Sequence, residues 1–98
     1  MKLNETAYTH KQIRKACQQL ELLTDMKLVT DLSNDFNQIR FVNKLGYILI
    51  DYRNEACFIL GHKLSHVEWQ LVQDVMLYCN WLETGEKYSK RNTNLMKN

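Results

Sequence analysis

Residues 43–69, NKLGYILIDYRNEACFILGHKLSHVEW, decide the fold, because within them the apolar pattern changes from that of a strand to that of a helix. Tyr47 to Tyr52 is apolar at nearly every position and rich in β-formers, which predicts a central strand. Asn43-Lys44-Leu45-Gly46 before it reads as a short hairpin connection, with Gly46 supplying a positive φ. Arg53-Asn54-Glu55 turns the chain, Ala56 to Leu60 returns as a further strand, and Gly61 ends it. The helix signal follows at once. Ser65 is a cap, Glu68 stands three residues on, and Leu64 faces Trp69 as a hydrophobic staple. That helix is expected to run to about Glu83, with Gly85 ending it. At about 100° per residue its apolar stripe is Val67, Leu71, Val72, Val75, Tyr78, Cys79 and Leu82.

Upstream, Met26, Leu28, Thr30 and Leu32 alternate with Val29 on the other side, so Met26–Leu32 reads as a first strand. Ser33-Asn34-Asp35 is a turn cluster, and in residues 36–43 Ile39 and Phe41 share a face. Before these strands, Thr9 with Gln12 predicts a capped helix start, and Tyr8 with Ile13 a staple. The first helix is therefore expected over His10–Thr24, with Ile13, Ala16, Cys17, Leu20 and Leu23 as its stripe. The fold class is α+β. The order is α-β-β-β(-β)-α, an antiparallel meander of three to four strands with two helices on one face. Residues 1–85 form the single domain and 86–98 a basic polar C-terminal tail.

The composition narrows function by exclusion. With 98 residues, 45% hydrophobic and 24% charged, the chain suits one domain, which buries only about 60 to 65% of its unfolded surface and leaves little room for an enclosed catalytic pocket. The net charge of +2 is uneven: the tail after Gly85 holds Lys87, Lys90, Arg91 and Lys97 against Glu86, so residues 1–85 carry −1. Such a globule offers few phosphate-neutralising groups. Cys17, Cys57 and Cys79 lie far apart within apolar patterns and read as unpaired buried thiols, which with no signal-peptide pattern predicts a cytoplasmic protein. There is no Gly-x-Gly-x-x-Gly, P-loop, nucleophile elbow or His-Glu-x-x-His. His62 and His66, four apart, straddle the helix start, with no further ligand at a metal spacing. Catalytic residues, metals and cofactors are accordingly expected to be none, and the protein not an enzyme. Asp51, in the apolar strand, is expected to pair with Arg40 or Arg53.

Two surfaces remain. Leu77 and Trp81, beside Gln70, Gln73 and Asp74, are an apolar pair outside the second helix's stripe, expected to contact a partner. The plainer alternative is that the tail or the first helix covers them. Lys11, Arg14 and Lys15 near the first helix's start, with Lys63, Lys87, Lys90 and Arg91, form a candidate anion or nucleic-acid contact. The order α-β-β-β-α with a cation before the second helix is similar to the double-stranded RNA-binding domain over residues 9–84 and implies nucleic-acid binding. That family carries a Gly-Pro-x-His loop and a Lys-rich cluster, where this chain has no proline and only Lys63. The order also resembles some phage-encoded anti-CRISPR proteins, in topology alone. The expectation is a small protein-binding regulator or inhibitor, carried by a phage or mobile element, that covers a surface of a larger protein or nucleoprotein, with the second helix or the sheet supplying the contact. A homodimer is a second form of partner, nucleic acid a secondary one, and a membrane none.

Overall fold

The computed structural model describes residues 3–84. Its elements are α1 (Leu3–Thr24), β1 (Lys27–Leu28), β2 (Ile39–Val42), β3 (Tyr47–Asp51), a 3₁₀ turn (Tyr52–Asn54), β4 (Ala56–Leu60) and α2 (His66–Thr84). The four strands form an antiparallel meander in the order β1-β2-β3-β4. Both helices cover the same face of it, because Ile39, Phe41, Ile48 and Ile50 are fully buried there with Ile13, Cys17 and Leu20 of α1 and Val72, Val75 and Cys79 of α2. This is the expected α+β fold. The tail and Gly85 lie outside the described residues.

Helix α1 begins at Leu3, not at His10. Nothing between Leu3 and Tyr8 breaks a helix, and Thr9, expected as the cap, is fully buried inside it, so that Tyr8, expected to precede the helix as half of a staple, is an exposed residue within it. The helix ends where Asp25 takes a positive φ and returns its N–H to the Glu21 carbonyl, the position glycine usually fills. Its neighbour Thr24 turns its hydroxyl back to the Leu20 carbonyl and receives the Met26 N–H, closing the last turn.

Strand β1 is two residues long, shorter than the pattern predicts. The alternation nonetheless holds through Leu32: Met26 and Leu32 are buried and Val29 is exposed. The Val29 N–H still bonds the Arg40 carbonyl, but the Arg40 N–H goes to the Thr30 hydroxyl. A side chain has replaced the ladder's next backbone acceptor, so regular pairing stops there. In the β2–β3 turn Asn43 Oδ1 accepts the N–H groups of Leu45 and Gly46. Gly46 does not have a positive φ; it is glycine because a Cβ there would run into the Leu60 carbonyl. Gly61, with φ +74, faces the Leu45 carbonyl in the same way, so the two glycines pin the end of β4 to the β2–β3 turn.

At α2 the capping box is formed: the Glu68 N–H donates to Ser65 Oγ at 3.1 Å and the Ser65 N–H to Glu68 Oε1 at 2.8 Å. The buried arc of the helix is Glu68, Val72, Val75, Met76 and Cys79. Val67, expected in the stripe, is exposed, and Met76 takes a place in its stead. The arc is rotated because α2 packs more extensively on α1 than on the sheet. Asp51 does not pair with a cation. It accepts from Asn54 Nδ2, while Arg53 reaches across to Glu83 of α2 at 3.1 Å.

Candidate interaction surface

The register fixes what each side of the sheet presents. Phe41, Ile48 and Ile59 are paired in one inward row, and Ile39, Ile50 and Cys57 in the next. The intervening rows must face the other way. They read Lys27-Val42-Tyr47-Leu60 and Val29-Arg40-Leu49-Phe58, with Asp51-Ala56 at the far end. Among the described residues no helix lies over these rows, since α1 and α2 both pack on the opposite side. Phe58, Leu60 and Val29 are all more than half exposed, and Val42, Tyr47 and Leu49 are partly so. Val42, Tyr47, Leu49, Phe58 and Leu60 are thus contiguous, with Lys27 beside Val42 at the β1 edge, Arg40 standing between Val29 and Leu49, and Asp51 at a corner. A strand apolar at every position has two apolar faces, and two helices can cover only one of them. That count was the available signal for these residues, since the sequence leaves open whether the sheet or the second helix supplies the contact.

The two sheet edges differ in kind. Along β1, the outward N–H of Leu28 is taken by the Glu21 carboxylate of α1 at 2.7 Å. Along β4, no strand lies beyond Ala56–Leu60 among the described residues. Phe58, Ile59 and Leu60 are exposed in succession, 51%, 36% and 57%, so side chains on both faces of this edge meet water.

Of the residues expected to bind a partner, Leu77 and Trp81 are half-buried on α2, and Trp81 stacks edge-on with Tyr78 at 5.3 Å. Gln70 and Gln73 are exposed, Asp74 is partly buried, and Gln70 donates to Asp74. Of the expected cations, Lys11, Arg14 and Lys15 line one shallow hollow along α1, and Lys63 stands apart from them. The α1 C-terminus meets the β2–β3 turn through Asn43 and Asp25, and α2 starts from Gly61 at that same end, so the helices run antiparallel. Lys63 lies at this end, whereas Lys11, Arg14 and Lys15 follow His10, which lines a cleft with Tyr52, Arg53 and Glu83 at the other. Lys87, Lys90 and Arg91 lie outside the described residues.

That cleft, about 560 Å³, also takes in Phe36 and Cys79. The Tyr52 hydroxyl sits 2.8 Å from Glu83 Oε2 and 3.1 Å from the Phe36 carbonyl, and Arg53 Nε donates to the same Glu83 oxygen. Burial, then the Glu83 carboxylate, pushes the Tyr52 phenol up to about 12, and the bonds from Tyr52 and Arg53 hold Glu83 below the usual carboxylate range. The groups satisfy one another, and the arrangement ties the turn before β4 to the end of α2. At Glu68 the bonds from the Ser65 backbone and His62 outweigh the effect of burial and keep its carboxyl low. All three cysteines are free of disulfides, and burial pushes Cys57 up to about 11 and Cys17 to about 12, with Cys79 also raised. Such thiols stay protonated near neutral pH and are poor nucleophiles. Among the described residues no three His, Cys, Asp or Glu side chains converge on a metal-sized site, and no helix is long and apolar enough to cross a membrane.

No protein-family model matches this chain, and no curated protein or solved structure was found similar to it.

Proposed function

We propose that this chain is a small non-enzymatic binding protein, a regulator or inhibitor that works by covering a surface of a larger protein, and that the outward face of its sheet makes the contact. One observation carries the reading. Val42, Tyr47, Leu49, Phe58 and Leu60 adjoin one another on a sheet face that no element among the described residues covers, while both helices pack on the opposite face. A contiguous exposed apolar patch with a charged rim is what protein interfaces use, and an aromatic pair such as Tyr47 and Phe58 supplies their anchors. The raised thiols and the mutually satisfied Tyr52, Arg53 and Glu83 support the non-enzymatic part. A phage or mobile-element origin is the finer proposal, and it rests on size and composition. A nucleic-acid module would have to work from Lys11, Arg14 and Lys15 without Lys63, which favours the protein partner.

The test compares surfaces. The wild-type chain, Leu49→Lys on the sheet face, Trp81→Ala on α2 and Lys11→Glu/Lys15→Glu on α1 are immobilised, and material captured from host extract is compared by mass spectrometry. A protein held by the wild type and both helix variants, and lost from Leu49→Lys, supports the reading. Loss from Trp81→Ala with retention by Leu49→Lys moves the contact to α2, and salt-sensitive nucleic acid lost only from the double variant replaces it with the second reading.

A further inference from the structure

We propose that this chain forms a two-fold dimer in which β4 pairs antiparallel with β4 of a second copy, Phe58 against Phe58, joining two four-stranded sheets into one. This goes beyond the face-binding reading, since it concerns the edge of the sheet and names its occupant.

The edge strand is the starting point. Soluble proteins protect such edges with charge, proline, bulges or a covering element, because unpaired N–H and C=O groups template another strand. At β1 this protein does so, through Glu21 on the Leu28 N–H and through a strand only two residues long. At β4 none of these devices is present among the described residues: Ala56, Cys57, Phe58, Ile59 and Leu60 include no charged residue and no proline, and the strand pairs without interruption from Ala56 to Leu60.

The occupant follows from self-complementarity. An antiparallel pair of identical strands is related by a two-fold axis that sets one residue against itself. Placing the axis at Phe58 uses all five residues: Phe58 meets Phe58, Cys57 meets Ile59, and Ala56 meets Leu60. The largest side chains thereby form a cross-strand aromatic pair, a small residue sits opposite each leucine, and no like charges are opposed. The same operation at β1 would bring Lys27 and the Glu21 carboxylate against their own copies. Both helix layers end up on one side of the joined sheet, and the outward rows of the two copies become continuous.

The size of the contact sets its strength. Five-residue pairing with half-exposed Phe58 and Leu60 buries on the order of 400 Å² per copy, at the low end of specific interfaces, so the dissociation constant is expected at about tens of micromolar.

The experiment is sedimentation equilibrium on the full chain from about 5 to 500 µM, a range that brackets that constant. The expected result is an apparent mass that rises with concentration from 11.7 kDa toward twice that value. Phe58→Lys, which sets two cations against each other at the axis, should weaken association at least tenfold with an unchanged far-ultraviolet spectrum. Leu49→Lys, one strand in from the edge, should leave it intact, which separates this inference from the face-binding reading. Under mild oxidation F58C chains should cross-link through position 58, whereas Y47C chains, altered on β3, should not. A mass of 11.7 kDa at every concentration overturns the proposal, even with β4 amides protected from exchange, which would put another segment of this chain on the edge. Association that survives Phe58→Lys, or Y47C cross-linking as readily as F58C, overturns it in favour of a face-to-face contact.

Discussion

At the β1 edge, Glu21 reaches from α1 to take the Leu28 N–H, and a threonine hydroxyl stands in for the next acceptor; at the β4 edge, five uncharged residues end the sheet with no described strand beside them. The difference comes from the chain's path. Helix α1 leads directly into β1, so its last turns lie alongside that edge and can spare a carboxylate for it. Helix α2 leaves β4 through Gly61 and turns under the sheet to pack on α1, so nothing of α2 is left to guard β4. Among the described residues the sheet is finished at one edge and bare at the other, and the proposed pairing of β4 uses that asymmetry. The strand that is left bare is also held firmly at both ends, by the Gly46–Gly61 approach at one and by Tyr52, Arg53 and Glu83 at the other. A strand held in this way presents its edge without having to be ordered on binding.

The comparison breaks most severely at the glycines. Gly46→Ala forces a Cβ into the Leu60 backbone carbonyl, where no flexible side chain can give way, and should cost roughly 2–4 kcal/mol as read by the urea midpoint. An unchanged midpoint would mean that β4 is not pinned to the β2–β3 turn. Next in size, Glu21→Ala removes the carboxylate from the guarded edge and leaves the part-buried Leu28 N–H without its acceptor, at a cost of about 1–2 kcal/mol. The same variant should also associate more readily than the wild type, since it opens the second edge; a purely thermal effect would show that the carboxylate holds α1 but does not protect β1.

A smaller effect is expected from acid. Glu83 has a folded-state pKa below its unfolded value, so its contribution is fully present above the unfolded carboxylate range and is lost as pH falls through the folded pKa. Both partners are largely exposed, which keeps the contribution modest. The measurement is the melting temperature of the wild type and Glu83→Gln between pH 7 and pH 3: the gap between them should close on acidification, and a gap that widens would reverse the assigned role. Smallest of all is Leu60→Ser at the open edge. With that side chain 57% exposed, stability should change by less than about 0.5 kcal/mol. A loss several times larger would mean that Leu60 is covered, and the contrast between the edges would have to be redrawn.

Much of the architecture was legible in local signals. The Ser65–Glu68 box gave the start of α2 to the residue, since a cap depends only on neighbours three positions apart. The bounds of β4, the inward pairing of Ile39 with Phe41 and the buried Cys17 and Cys79 also follow from periods of two and 3.6 residues, which any strand or helix must obey. The start of α1 did not, because Thr9 carries a cap's side chain in a stretch that no breaker interrupts, and its burial against neighbouring elements overrides its preference. The rotation of α2 that exposes Val67 and buries Met76 was likewise hidden, since an apolar stripe says that one side is covered but not by what. The same limit applies to the surfaces. The sequence by itself determined that Tyr47–Asp51 is apolar on both sides and that Ala56–Leu60 carries no charge. Only the tertiary structure decided that both helices lie on one face, that Glu21 closes β1 and that no described element lies along β4. Those outcomes depend on contacts between residues far apart in the chain, and no local periodicity encodes which of two apolar faces a distant helix will choose.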